Sequence, residues 1–247
     1  MSNWIETHGR TALVGVILAS VIIGTSILAG GLVKFKELEQ SKLAVTGYAE
    51  TLVKSDIAEW TLTLTAFNKV KANAYKKLNQ DLGTLKNVLT TNGIDAKDIN
   101  ENTLYVTTNY KKNYNGYDTA DIDGYTLSKA LVVRTAKIDA VDLVAKKLEG
   151  LVGNGLGVDI TAPQYLYSKL DDLKLNLIAQ ATKNAKDRAG TMAKVTGNQV
   201  GSLLTASSGV FQITAPNSTD VSDYGQYDTS TREKKVTSVV NVTFSIN

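Results

Sequence analysis

The sequence predicts an α+β domain carried behind an N-terminal transmembrane helix, and three observations predict it. Charge is unevenly placed: of 27 Lys+Arg and 24 Asp+Glu, only Glu6 and Arg10 fall within the first 33 residues. Beyond them, segments of period two and segments of helical period interleave in the order ββαββαβαββ. Several neighbouring strands are joined by short turns, which disfavours a doubly wound parallel sheet.

The leader comes first because it decides the compartment. Thr11 to Val33 contains no charged residue, and at about 1.5 Å per residue it spans roughly 34 Å, enough for a hydrocarbon core of about 30 Å. Leu13, Val14, Val16, Ile17, Leu18, Val21, Ile22, Ile23, Ile27 and Leu28 supply the apolar surface that meets the lipid bilayer. Ala29-Gly30-Gly31 would serve as a signal-peptide cleavage site, but the apolar run is longer than a signal core. Arg10 precedes the span while Lys34 and Lys36 follow it, so the positive-inside rule leaves orientation undecided. The short tail and the cysteine-free remainder point to an exported domain. The expected organisation is a tail (1–10), a membrane helix (11–33), a linker (34–43) and one α+β domain (44–247) with a long loop at 207–235.

Within that domain, Ala44 to Val53 and Ile57 to Ala66 alternate apolar and polar residues around Lys54-Ser55-Asp56 and read as a β-hairpin, with Trp60, Leu62 and Leu64 on one face. Ala74, Leu78, Leu82, Leu85 and Leu89 then recur at helical spacing up to Asn92-Gly93. Strands follow at Leu104 to Thr108 and Tyr125 to Thr135, with turns expected at Asn115-Gly116 and Asp123-Gly124. A helix over Asp139 to Leu151 buries Ala140, Val141, Val144, Ala145 and Leu148, and the glycines at 153, 155 and 157 end it. The next strand, Val158 to Tyr165, carries Pro163, which belongs at an edge or a bulge. The longest helix runs from an N-cap at Ser168 to about Thr196, with Gly197 as its C′ residue. Its Ala181, Ala185, Ala189 and Ala193 repeat every four residues, so the helix can sit close to a neighbour. Val200 to Ala206 and Val236 to Ile246 close the domain.

Composition narrows the chemistry. There is no cysteine and one histidine, His8, so thiol nucleophiles, thiolate metal sites and multi-histidine sites are excluded. Gly153-Asn-Gly155-Leu-Gly157 precedes a strand rather than a helix and is no dinucleotide loop. Asp121-Ile-Asp123-Gly124 has Thr119 and Ala130 where a calcium loop needs ligands, so it reads as a turn. Asp171-Asp172 and Asp220, Asp223 and Asp228 read as solvated carboxylates. No catalytic residue, cofactor or metal site is expected, and no nucleic-acid partner.

Two apolar groups are left for contacts. Tyr105, Tyr110, Tyr114, Tyr117 and Tyr125 crowd one stretch, fitting either a partner contact or strand-edge packing. The loop 207–235 carries Val210, Phe211, Ile213, Pro216, Tyr224 and Tyr227, more apolar surface than a disordered linker needs, and is expected to pack on a neighbouring subunit.

Five segments together resemble a known family. Val45-Thr-Gly-Tyr-Ala-Glu50 followed by Ser55-Asp56-Ile57-Ala58 is similar to the opening of the SIMPL domain (DUF541), a V-x-G-x-G-x segment before a Pro-Asp-x-Ala turn. Asn92-Gly93-Ile94-Asp95 through Ile99, Gly124-Tyr125 with Leu131 to Arg134, the alanine-periodic run Ala181 to Ala193, and Thr196-Gly197 resemble its later motifs. Ala49 replaces the usual second glycine and Ser55 the usual proline, and the loop 207–235 resembles a membrane-anchored branch. The resemblance implies a periplasmic or envelope protein of the immunogenic or oxidative-stress-defence kind, with ring-like homo-oligomers among its relatives and no assigned catalytic residues. The expectation is therefore a non-enzymatic, single-pass protein of the bacterial inner membrane whose exported domain binds copies of itself. The alternative is an envelope ligand-binding module of low oligomeric state.

Overall fold

The computed structural model describes residues 24–31 and 42–247. In chain order it holds α1 (24–31), β1 (Lys42–Lys54), β2 (Ile57–Asn68), α2 (Lys71–Thr91), β3 (Ile99–Glu101), β4 (Tyr105–Lys112), β5 (Asp118–Thr135), α3 (Ile138–Gly153), β6 (Val158–Ile160), β7 (Gln164–Leu166), α4 (Leu170–Val195), β8 (Val200–Ser208), β9 (Gln212–Thr214), β10 (Gln226–Tyr227) and β11 (Glu233–Ile246). This is the expected α+β class, with mainly antiparallel strands. Among the described residues no helix is long and apolar enough to cross a membrane. Of the expected 11–33 span only 24–31 are described; they are helical, with Ile27 and Leu28 exposed. Leu13, Val14, Val16, Ile17, Leu18, Val21, Ile22 and Ile23 lie outside the described residues.

The chain forms two units. The larger comprises Glu50–Leu177 and Val210–Ser238. Its six-stranded sheet is built on β2, which pairs antiparallel with β5 from Ala58↔Thr135 to Asn68↔Tyr125 and, on its other edge, with β6 and β7. Strict alternation along β2 buries Ala58, Trp60, Leu62, Leu64 and Ala66. Helices α2 and α3 cover that face with Ala74, Leu78, Leu85 and Leu89, and with Val141, Val144 and Leu148. Each fully buried leucine contributes about 1.5–3 kcal/mol, so this face is the main source of the unit's stability. The Trp60 Nε1–H donates to the Thr161 carbonyl at 2.6 Å, which satisfies the one polar atom of a buried ring.

The expected β1–β2 hairpin does not form. β1 pairs with β11 in one sheet and β2 lies in the other. The connecting amides explain the switch: Ser55 N–H donates to the Arg232 carbonyl at 2.8 Å and Asp56 N–H to the Leu166 carbonyl at 3.0 Å. The Asp56 carboxylate then accepts from the Ser168 amide and hydroxyl. Ser168 is thereby tied to this crossover, and α4 starts two residues later. Alternation marks which face of a strand is buried but not which strand lies beside it.

Three further expectations change. Asp123-Gly124 is no turn but part of β5, where Gly124 lies against the Phe67 ring. Pro163 splits the expected strand into β6 and β7. Regular structure also enters the stretch read as a loop at 207–235: β8 runs to Ser208, β9 pairs antiparallel with β11, β10 pairs parallel with β9, and β11 begins at Glu233. The Gln212 side chain supports this by donating to Ser222 C=O at 2.7 Å and accepting from Ser222 N–H. Such side-chain-to-backbone bonds leave no hydropathy pattern.

The smaller unit takes the chain up to Ala49 with Ile178–Gly209 and Val239–Asn247. Here β8 pairs antiparallel with the end of β11. The alanine stripe of α4 has the expected use: Ala181, Ala185, Ala189 and Ala193 are buried, and the helix lies directly on Gly47 of β1. A Cβ at Gly47 would fall 2.0 Å from the Ala181 carbonyl oxygen and 2.7 Å from the Ala185 Cβ. The approach is held by Tyr48 N–H donating to Asn184 Oδ1 at 3.1 Å and by Arg188 donating to the Thr46 carbonyl at 2.7 Å. Gly197, at φ +78°, ends α4 as expected, with Asn198 N–H donating to the Ala193 carbonyl. Gly47→Ala forces α4 off the strand and is expected to lower stability by about 1–3 kcal/mol or more, read as a fall in the urea midpoint at unchanged m-value.

Candidate functional site

Beyond Gly124 the larger unit carries a ribbon made of β4 and the start of β5. Thr108 pairs with Tyr125, Tyr110 with Ile122 and Lys112 with Asp118. The residues at 105–107, 110–112 and 120–123 are exposed, so water reaches the ribbon broadly. The turn has the expected form: Gly116 has φ +82°, and Asn113 Oδ1 accepts from the amides of Asn115 and Tyr117. Lys112 pairs with Asp118 at 2.7 Å along its length. Tyr105 is 68% exposed, and Val106, Tyr110, Tyr114, Tyr117 and Ile122 are exposed with it. Of the tyrosine group only Tyr125 packs on the core. β4 is hydrogen-bonded to β5 alone among the described residues, which leaves one edge of the ribbon open. At its base, Lys129 and Lys86 both donate to the Glu101 carboxylate. Those bonds hold Glu101 below its ordinary pKa.

The arm from Val210 to Arg232 packs on its own unit. Ile213 is 3% exposed and belongs to β9, so it offers no surface to a neighbour. Phe211 is half-buried beneath the Lys174 ammonium, 5.9 Å from the ring centre, and Pro216 is half-buried. Val210, Tyr224 and Tyr227 are exposed. The arm closes on Lys234, which is 1% exposed and donates its ammonium to the carbonyls of Asp228 and Thr231. Burial pulls the Lys234 amine below its ordinary pKa. Burial raises the Asp228 carboxyl, but bonds from the hydroxyls of Thr231 and Ser230 and the Ser230 amide outweigh it, with Lys234 adding to them, and hold the group at about 2.

A third feature lies where the chain crosses between sheets. Lys54, Ser55 and Asp56 face the start of α3 across a cleft of about 540 Å³. Arg232 closes one side, donating to Asp139 at 2.7 Å, to Asp142 at 2.6 Å and to the Ile138 carbonyl at 3.0 Å. Its guanidinium also lies 5.5 Å from the Tyr165 ring centre. The Tyr165 hydroxyl donates to Asp142 at 2.8 Å, and burial together with that bond pushes the phenol up.

Residues 43–244 match the model of a family described as SIMPL, protein of unknown function (DUF541). The chain belongs to the SIMPL family. No curated protein matches it. Among solved structures it is similar to a hydantoinase/carbamoylase family amidase from Burkholderia ambifaria, at 12% identity and a TM-score of 0.26, over 47% of this chain and 29% of that one. It is also similar to an uncharacterized conserved protein from Listeria innocua, at 9% identity and a TM-score of 0.22, over 80% and 92% of the two chains. This SIMPL chain thus spans under a third of the amidase's length.

The SIMPL motifs mark structural junctions. The first places Gly47 under α4 and Ser55-Asp56 at the crossover; Ile94 to Ile99 spans a 3-10 turn, Ala96–Asp98, that leads into β3. The alanine run is the close face of α4. Among the described residues no group of three or more His, Cys, Asp or Glu converges as a metal site. Asp121 and Asp123 lie on β5, Asp171 pairs with Lys174 at 3.5 Å, and Asp228 is consumed by the turn it organises. Arg232, Lys234, Asp142 and Tyr165 went unmarked by sequence reasoning, because their meeting depends on contacts far apart in the chain. Asp228 gives the arm a pH signature. Its folded pKa lies below the ordinary 3.8, so its stabilisation is full above that value and is lost as pH falls through about 2. Asp228→Asn is expected to be less stable than the parent at neutral pH, and the gap in urea midpoints should close between pH 3.8 and about 2.

Proposed function

We propose that this SIMPL protein is a non-enzymatic envelope protein that assembles with copies of itself. The run 11–33 tethers it to the bacterial inner membrane, and the large domain is exported to the periplasm. Its role there is structural or protective against stress. The single observation that carries this reading is the open edge of β4. A two-stranded ribbon in water is marginally stable by itself, and a further strand completes it. A second copy suits the edge well. An antiparallel pairing of two β4 strands centred between Thr108 and Asn109 sets Tyr105 opposite Lys112 and Val106 opposite Lys111. No like charges then face each other, and each ammonium meets an aromatic or aliphatic side chain. A two-fold contact of this kind closes on itself. The exposed Val210, Tyr224 and Tyr227 of the arm supply a second, different contact through which pairs join into a ring or shell.

Light scattering on the full-length protein in detergent separates the two contacts. Tyr105→Glu with Tyr110→Glu should reduce the particle mass at least by half, with the far-UV spectrum unchanged because both side chains are exposed. Tyr224→Glu with Tyr227→Glu should leave pairs. The alternative, a ligand-binding module of low oligomeric state, predicts a small particle before any substitution.

A further inference from the structure

We propose that the cleft at the Ser55-Asp56 crossover binds a small oxyanion, the phosphate or carboxylate of an organic ligand, between Lys54, the Ser55 hydroxyl and the first turn of α3. At about 540 Å³ the cleft is the size of a small-molecule site. Two independent observations give it its chemistry. Helix α3, Ile138–Gly153, opens into the cleft, and its N-cap residue Lys137 makes no side-chain cap bond. The Lys137 amide donates to Thr135 Oγ1 at 3.2 Å and the Ala140 amide to the Lys137 carbonyl at 3.1 Å, and the positive end of the helix dipole is directed at the cleft beyond them. Ser55 lines the same cleft, is 4% exposed, and its Oγ has no hydrogen-bond partner among the described residues. A buried hydroxyl in that state is a donor waiting for an acceptor.

The surrounding charges leave room for one anion. Lys54, Lys137 and Arg232 face Asp56 and Asp139. Both oxygens of Asp56 already accept from Ser168, and Asp139 already accepts from Arg232. Lys137 shares its charge with Asp95. Among the described residues Lys54 takes part in no ion pair, and it is exposed where it lines the cleft. An incoming oxyanion would receive the Ser55 hydroxyl, the Lys54 ammonium and the amides of Ile138 and Asp139, a donor set of the kind by which helix N-termini hold phosphates and carboxylates.

The experiment is calorimetric titration of the full-length protein in detergent with inorganic phosphate and, separately, with acetate, at constant ionic strength. The expected result is saturable binding of one or both anions, one per chain, weakened about fivefold in Ser55→Ala and in Lys54→Gln. Binding of phosphate alone points to a phosphate ester, and binding of acetate as well extends the site to carboxylates; either supports it. Ser55→Ala removes a hydroxyl that has no partner among the described residues, so its Tm should equal or exceed the parent's, which separates lost binding from lost folding. Absence of saturable binding by either anion, or full retention of affinity in both variants, overturns the proposal.

Discussion

Two adjacent amides, those of Ser55 and Asp56, donate to carbonyls on two different segments, Arg232 and Leu166. That pair of bonds places β1 and β2 in separate sheets although only two residues divide them. Much of the larger unit follows from it. β2 is free to take β5 on one edge and β6 and β7 on the other, and becomes the strand on which α2 and α3 pack. Arg232, fixed through its carbonyl, brings its guanidinium to Asp139, Asp142 and Tyr165 and so ties the end of the arm to the start of α3. The cleft exists because these segments converge without filling the space between them. Where the family pattern has proline, this chain has Ser55, whose amide makes the bond to Arg232 and which brings a hydroxyl-bearing side chain to the lining of the cleft. Proline could do neither.

Close backbone approach plays the same organising part in the smaller unit. Four alanines on α4 and the bare Cα of Gly47 bring a helix to within bonding range of a strand backbone, close enough for Asn184 and Arg188 to bond main-chain groups of β1. The area buried by alanine is small. The gain lies in dispersion contacts at short range and in polar side chains that reach backbone atoms a larger interface would hide.

The faces of the elements were legible in the sequence, and their partners were not. Trp60, Leu62 and Leu64 were readable as one buried face, as were Leu78, Leu85 and Leu89, because periods of two and 3.6 report burial directly. Pro163 and Gly197 were readable because each removes a conformational or bonding option. Hydropathy carries nothing about pairing, so a three-residue link between alternating strands looked like a hairpin turn. β9 and β10 were hidden for a related reason: their polar segments are held by Gln212, Asp228 and Lys234 bonding to backbone groups. The apolar content of the arm pointed to a neighbouring subunit, and for Ile213 the packing lies within its own unit. The tyrosine stretch kept two meanings in the sequence. In the structure four of those five rings stand on an exposed ribbon and one joins the core.

The ribbon therefore carries the account of function: a strand edge bonded on one side, with Tyr105 and Tyr110 exposed on it, proposed to take a second copy of itself. Hydrogen exchange along β4 in the full-length protein, followed at assembling concentration and after dilution, tests this most directly. The account predicts that the Tyr105–Lys112 amides not bonded to β5 are protected in the assembled state and lose that protection on dilution. Exchange of those amides at the unprotected rate at every concentration would contradict it.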